Sequence, residues 1–118
     1  MIHRITIPNW RPAADNELLS VHWRVKHKRK SQDAEMVAAY AKLADIHPAV
    51  GKRRVSLEIT LVGRQRKTDP MAHAKSLLDS LVRCRMLIDD CAEFMEWGGV
   101  TWDRGSEGKT VIVLEDLE

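Results

Sequence analysis

The stretch from Arg64 to Asp90 concentrates the residues able to do chemistry. Arg64, Arg66 and Lys67 stand just before Asp69, Lys75 and Asp79 follow at helical spacing, and Asp89-Asp90 comes after them. Cations beside carboxylates suit phosphate and metal together. The cations hold the anion of a phosphodiester, while hard carboxylate oxygens hold a magnesium ion that activates water and stabilises a leaving oxygen. A second basic run comprises His22, Arg24, Lys26, His27, Lys28, Arg29 and Lys30. With Lys52, Arg53, Arg54, Arg64, Arg66 and Lys67 it makes two cationic segments that could track phosphates on either side of an acidic site.

Each of these residues also has an ordinary structural reading. Asp69 before Pro70 reads as a helix N-cap, worth about 1 kcal/mol. Asp90 with Glu93 three residues on fits a capping box for a short turn of helix. Lys75 and Asp79 make an i,i+4 pair, worth about 0.2–0.5 kcal/mol. Trp23 either stacks on an unpaired base or packs the basic segment onto the domain. Trp97 and Trp102 read as core or sheet-face residues, and the five methionines as core filler.

Taken together, the segment resembles the RusA family of Holliday junction resolvases. That family's signature is a basic run, then Asp-x-Asp-Asn at the start of a helix, a lysine three residues on, and an Asp-Asp pair after the helix. The matching residues are Arg66-Lys67-Thr68-Asp69-Pro70-Met71-Ala72-His73-Ala74-Lys75, then Asp79-Ser80-Leu81 and Leu87-Ile88-Asp89-Asp90. The resemblance spans most of the chain and is specific between Arg64 and Asp90. It implies that Asp69 and Asp90 bind magnesium (or manganese) and are catalytic, and that Lys75 supports cleavage. It further implies a cytoplasmic homodimer cutting four-way DNA junctions in recombination and repair. The second Asp of the signature falls on Met71 and the following Asn on Ala72. A thioether is a soft, neutral ligand and does not replace a carboxylate on magnesium, so Asp89, Asp79 or His73 would have to compensate. Two readings therefore stand, an Mg²⁺-dependent structure-selective endonuclease and a catalytically impaired homologue that binds junctions without cutting. A third is a small interaction module whose basic loops hold a protein partner.

The elements that must position these residues follow from periodicity. Ile5-Thr6-Ile7 alternates as a short strand that Pro8 stops. Asn9 to Lys30 reads as a long basic loop, with a helix from about Gln32 to Asp45 burying Ala34, Val37, Ala41 and Ala44 together with Met36, Tyr40 and Leu43. Asp33 and Glu35 put negative charge in its first turn, and His47-Pro48 ends it. Val55 to Leu61 alternates cleanly as a strand. A second helix runs from about Pro70 to Arg83 and buries Ala74, Leu77, Leu78, Leu81 and Val82. Its ends lie about 20 Å apart, so Asp90 approaches Asp69 only if the chain turns back along the helix after Arg83. Strands near Glu96–Trp102 and Lys109–Leu114 flank Asp103 to Gly108, which reads as a hairpin turn. The spacing of Gly105 and Gly108 matches a KH loop, but that loop joins helices rather than strands. The order βαβαββ predicts a single small α/β (α+β) domain with helices packed on a mixed sheet.

Composition bounds the rest. With 118 residues, 44% hydrophobic and 31% charged, the chain supports one core. Its net charge of +2 is a near-cancellation of 19 basic and 17 acidic residues that hides how the cations gather. No run is long enough to span a membrane, and no apolar signal peptide opens the chain. Cys84 and Cys91, with six residues between them, read as free thiols in a reducing compartment, which excludes a disulfide framework or a zinc ribbon. The motifs of serine hydrolases, P-loop NTPases and dinucleotide-binding proteins are missing from the sequence.

Overall fold

The strand Arg53–Leu61 sets the frame, because its residues alternate between fully and half-buried along its whole length. The computed structural model describes residues 1–12, 23–65, 67, 71 and 73–117. Six elements follow in the order β1 (Ile2–Pro8), α1 (Trp23–Leu43), β2 (Arg53–Leu61), α2 (Ala74–Arg83), β3 (Met95–Arg104) and β4 (Lys109–Asp116). They form a small single-domain α+β fold around a mixed sheet of order β1-β4-β2-β3. β4 runs antiparallel to both β1 and β2, and β3 runs parallel to β2.

Alternation divides the sheet into two faces. Ile5 and Ile7 of β1, Val55, Leu57, Ile59 and Leu61 of β2, and Ile112 and Leu114 of β4 join Val37 and Ala41 of α1 and Leu77, Leu78 and Leu81 of α2 in one core. The opposite face is polar and paired across strands, Arg4 with Glu58 at 2.9 Å and Arg54 with Glu115 at 2.8 Å. β3 keeps Met95, Trp97, Val100 and Trp102 against the core, as the sequence suggests for both tryptophans. Their spacing changes phase between Trp97 and Val100, and a bulge absorbs the extra residue: Val55 faces Trp97, but Ser56 faces Gly99. Gly99 sits there at φ 94°, where a side chain is strained, and a Cβ on Gly98 would lie 2.2 Å from Ser56 Oγ.

Several expectations are corrected. The segment from Trp23 to Lys30 is not loop but the first turns of α1, which starts nine residues before Gln32. Nothing from Trp23 onward breaks a helix, and Lys and Arg are good helix formers. The buried stripe of α1 is Asp33, Val37 and Ala41, while Met36, Leu43 and Ala44 are exposed. Asp33 is therefore not a first-turn carboxylate but a buried one, accepting from Trp10 Nε1 at 3.1 Å and Arg29 Nε at 3.1 Å. Residues 105–108 do not close a hairpin: β2 lies between β3 and β4, so this connection passes over the end of β2, where Gly105 N–H donates to Leu61 O at 3.0 Å. Of the methionines, Met86 is buried and Met95 half-buried, whereas Met1, Met36 and Met71 are exposed.

Both helices end in the same way. After α2, Arg85 adopts φ 66°, its N–H donates to Val82 O at 3.1 Å, and Met86 N–H donates to Leu81 O at 2.9 Å. After α1, Asp45 adopts φ 57°, its N–H donates to Lys42 O at 3.1 Å, and Ile46 N–H donates to Ala41 O at 3.1 Å. This paired pattern is the Schellman motif, and Leu81, Met86, Ala41 and Ile46 are all buried in the one core.

Candidate functional site

The reversal after α2 is what brings acidic side chains together. Once Met86 and Leu87 are buried against the core, the chain runs back beside the helix it has left. Asp89 and Asp90 then line a surface hollow of about 310 Å³ with Asp79, Val82 and Arg83 of α2. Three carboxylates that lie up to eleven positions apart thus share one depression beside Val82 and Arg83, while the approach of Asp90 to Asp69 lies outside the described residues. Asp89 and Asp90 are exposed, and Asp89 Oδ1 accepts from Asp90 N–H at 2.8 Å. A single turn follows Asp90, with Phe94 N–H and Met95 N–H both donating to Cys91 O at 3.0 Å.

Asp79 is the hinge between this hollow and the basic helix. Its carboxylate lies 3.8 Å from Lys30 Nζ of α1, and the expected pair with Lys75 one turn away is not formed. Lys75 is exposed in the first turn of α2 and makes no ion pair among the described residues. Lys30 therefore carries the cationic run of α1 up to the carboxylates. Further along that helix Arg24, His27 and Lys28 are exposed, Lys26 is half-buried, and Arg24 lies over the Trp23 ring at 5.5 Å. Trp23 is 59% exposed and meets His27 of its own helix edge-on. Arg29 turns inward, held by Asp33 and donating to Arg11 O at 3.3 Å, so it is not a free phosphate contact.

The second cationic segment divides. Arg64 and Lys67 are exposed, and Arg66 lies outside the described residues. Arg53 is 2% exposed and serves structure instead, donating to Asp116 Oδ1 at 2.7 Å, Met86 O at 3.0 Å and His47 O at 3.2 Å. Arg54 is engaged by Glu115 and Glu96 on the polar sheet face. These two arginines leave the phosphate-tracking set, because their charges are already matched.

Asp69, Pro70 and Ala72, with His22 of the first basic run, lie outside the described residues. Met71, at the position of the signature's second carboxylate, is 57% exposed. His73 is buried and is not among the residues that line the hollow of Asp79, Asp89 and Asp90: its Nδ1–H donates to Pro12 O at 2.8 Å, and its ring meets Trp102 edge-on at 6.4 Å. Cys84 and Cys91 are both free, as expected, and burial pushes the Cys84 thiol up, which keeps it protonated and unreactive.

No family model matches the chain, and no curated protein matches it. The site stands on its own geometry. Among the described residues, no three of His, Cys, Asp and Glu come within reach of one metal ion. Asp79, Asp89 and Asp90 bring carboxylate oxygens to one hollow, which Arg83 also lines, without forming such a group. No helix among the described residues is long and apolar enough to cross a membrane.

Proposed function

We propose that this protein is a RusA-like, Mg²⁺-dependent endonuclease of branched DNA, acting in the cytoplasm as a homodimer. The observation that supports it most is the Lys30–Asp79 contact, which joins the basic helix α1 to the hollow of Asp79, Asp89 and Asp90. That contact brings a cation of the basic run beside carboxylates far from it in the sequence, which is what the reading requires. In this reading Asp90 and Asp69 hold the magnesium, with Asp89 and Asp79 as further oxygen donors. When bound, the ion supplies positive charge against the phosphate and lowers the pKa of water. Lys75 offsets charge developing on the phosphate, and Arg24, Lys26, Lys28, Arg64, Arg66 and Lys67 hold the DNA backbone.

Met71 favours a second reading. An exposed thioether where the family resemblance implies a carboxylate suits a protein that binds junctions and does not cut them. Synthetic four-way junctions incubated with Mg²⁺ or Mn²⁺ separate the two. Nicking above the level of an Asp90→Ala control supports the endonuclease. Salt-sensitive binding without nicking supports the inert junction binder, and failure to retain junctions even at low salt rejects both.

A further inference from the structure

A second hollow, of about 380 Å³, opens where β1 and β2 end and β4 begins. It falls near the lower end of the about 300–1,000 Å³ typical of small-ligand pockets. Arg11, Arg29, Gln65, His73 and Lys109 are among its lining residues, and among the described residues no Asp or Glu lines it. Arg29 is matched by Asp33 at 3.1 Å. The Arg11 guanidinium and Lys109 ammonium meet no carboxylate among the described residues, so the hollow carries two unmatched positive charges.

The backbone bearing Arg11 is clamped on every side. Asn9 N–H donates to Gly108 O at 2.9 Å, and the Thr110 hydroxyl donates to Trp10 O. Arg29 donates to Arg11 O at 3.3 Å, and His73 Nδ1–H to Pro12 O at 2.8 Å. Gln65 Oε1 accepts from Val62 N–H at 2.9 Å, which leaves the amide NH₂ of Gln65 as a donor. Cationic and neutral donors on a rigid frame, with no competing anion among the described residues, make a site prepared for one anionic group. A guanidinium suits the paired oxygens of a phosphate, and an ammonium adds a point charge. Gln65 and His73 also flank the signature segment in sequence, so this hollow borders the chain that leads into and out of it.

We propose that this hollow is a phosphate subsite that seats one phosphodiester of a DNA strand, with Arg11 and Lys109 as its charged contacts and Gln65 as a neutral donor. It rests on the DNA-binding reading above, and extends it to residues outside both basic segments.

The test compares wild type with an Arg11→Gln/Lys109→Gln variant, titrating a four-way junction over a range of salt. A parallel NMR titration of wild type uses inorganic phosphate alone. The variant is expected to bind about tenfold more weakly, with the slope of log affinity against log salt reduced by about 1. Phosphate should shift the amides of Asn9, Arg11, Gln65 and Lys109. If the double variant fails to fold, Lys109→Gln alone, at an exposed position, must still lower affinity and slope. Unchanged affinity and slope in a folded variant would overturn the subsite while leaving DNA binding intact. If wild type retains no junction, the DNA reading falls. The subsite then falls as a DNA contact, even where inorganic phosphate shifts these amides.

Discussion

Arg53, buried at the start of β2, donates from its guanidinium to the carbonyl oxygen of Met86 at 3.0 Å. Met86 is the residue that closes the reversal after α2, so this bond ties the central strand to the loop that presents Asp89 and Asp90. The same side chain also holds His47 O, beyond the end of α1, and Asp116 at the end of β4. One guanidinium thus joins the exits of both helices to two strands. Arg53→Ala leaves these acceptors without a donor and is expected to cost about 2–4 kcal/mol. A fall in urea midpoint at unchanged m measures it. Arg53→Lys should recover only part of that loss, because an ammonium cannot span three divergent acceptors.

Asp116 gives this network a pH dependence. The hydrogen bond from Arg53, assisted by that from His3 and opposed by partial burial, holds its carboxyl below the ordinary carboxylate range. A carboxyl depressed in the folded state stabilises fully above its unfolded value near about 4, and that stabilisation is lost as pH falls through the folded value. Asp116→Asn should therefore lower stability near neutral pH by about 1 kcal/mol or less, since the side chain is 41% exposed. The gap between variant and wild type should close as pH falls through and below the ordinary carboxylate range. Denaturation curves across that pH range check it, and a gap that persists unchanged in acid would remove Asp116 from the account.

Periodicity made the strands and the second helix legible, because β2 alternates strictly and Leu77, Leu78 and Leu81 repeat at helical spacing. It failed where the deciding contact is remote. The basic run Arg24–Lys30 looks like a polar loop until Lys30 meets Asp79 and Arg29 meets Asp33, contacts that make a charged segment part of a packed helix. The helix reversals carry no glycine to announce them, since Arg85 and Asp45 take the left-handed conformation themselves. The cations of the second hollow, Arg11 and Lys109, lie almost a hundred positions apart and form no local pattern. The carboxylate hollow was half legible: Asp79, Asp89 and Asp90 were visible as residues, but not the turn that gathers them.

The bulge in β3 shows a local signal whose meaning needs the sheet. Gly98-Gly99 shifts the phase so that both Trp97 and Val100 face the core. Gly99→Ala forces a side chain onto φ 94° and is expected to cost about 1–3 kcal/mol. Gly98→Ala should cost less, because the atoms it meets are Ser56 Oγ, which can rotate away, and Cδ and Cγ of the flexible Arg54 side chain. Adding Ser56→Ala should restore most of the Gly98→Ala loss and none of the Gly99→Ala loss. Thermal midpoints of the four variants decide between this bulge account and a general intolerance of β3.

Met71 separates fold from chemistry most sharply. It is 57% exposed, so Met71→Asp buries no charge and should change stability by no more than about 0.5 kcal/mol. Under the endonuclease reading it restores an oxygen ligand at the position where the signature has its second carboxylate. Junction cleavage in Mg²⁺ should then rise about tenfold or more, a step that needs only about 1.4 kcal/mol of added transition-state stabilisation. The gain should vanish in the Met71→Asp/Asp90→Ala double variant, because both side chains would act on one ion. A gain that survives loss of Asp90 would place the new carboxylate's effect elsewhere. No gain over wild type, with junction binding intact, would favour a protein that recognises branched DNA and leaves it uncut.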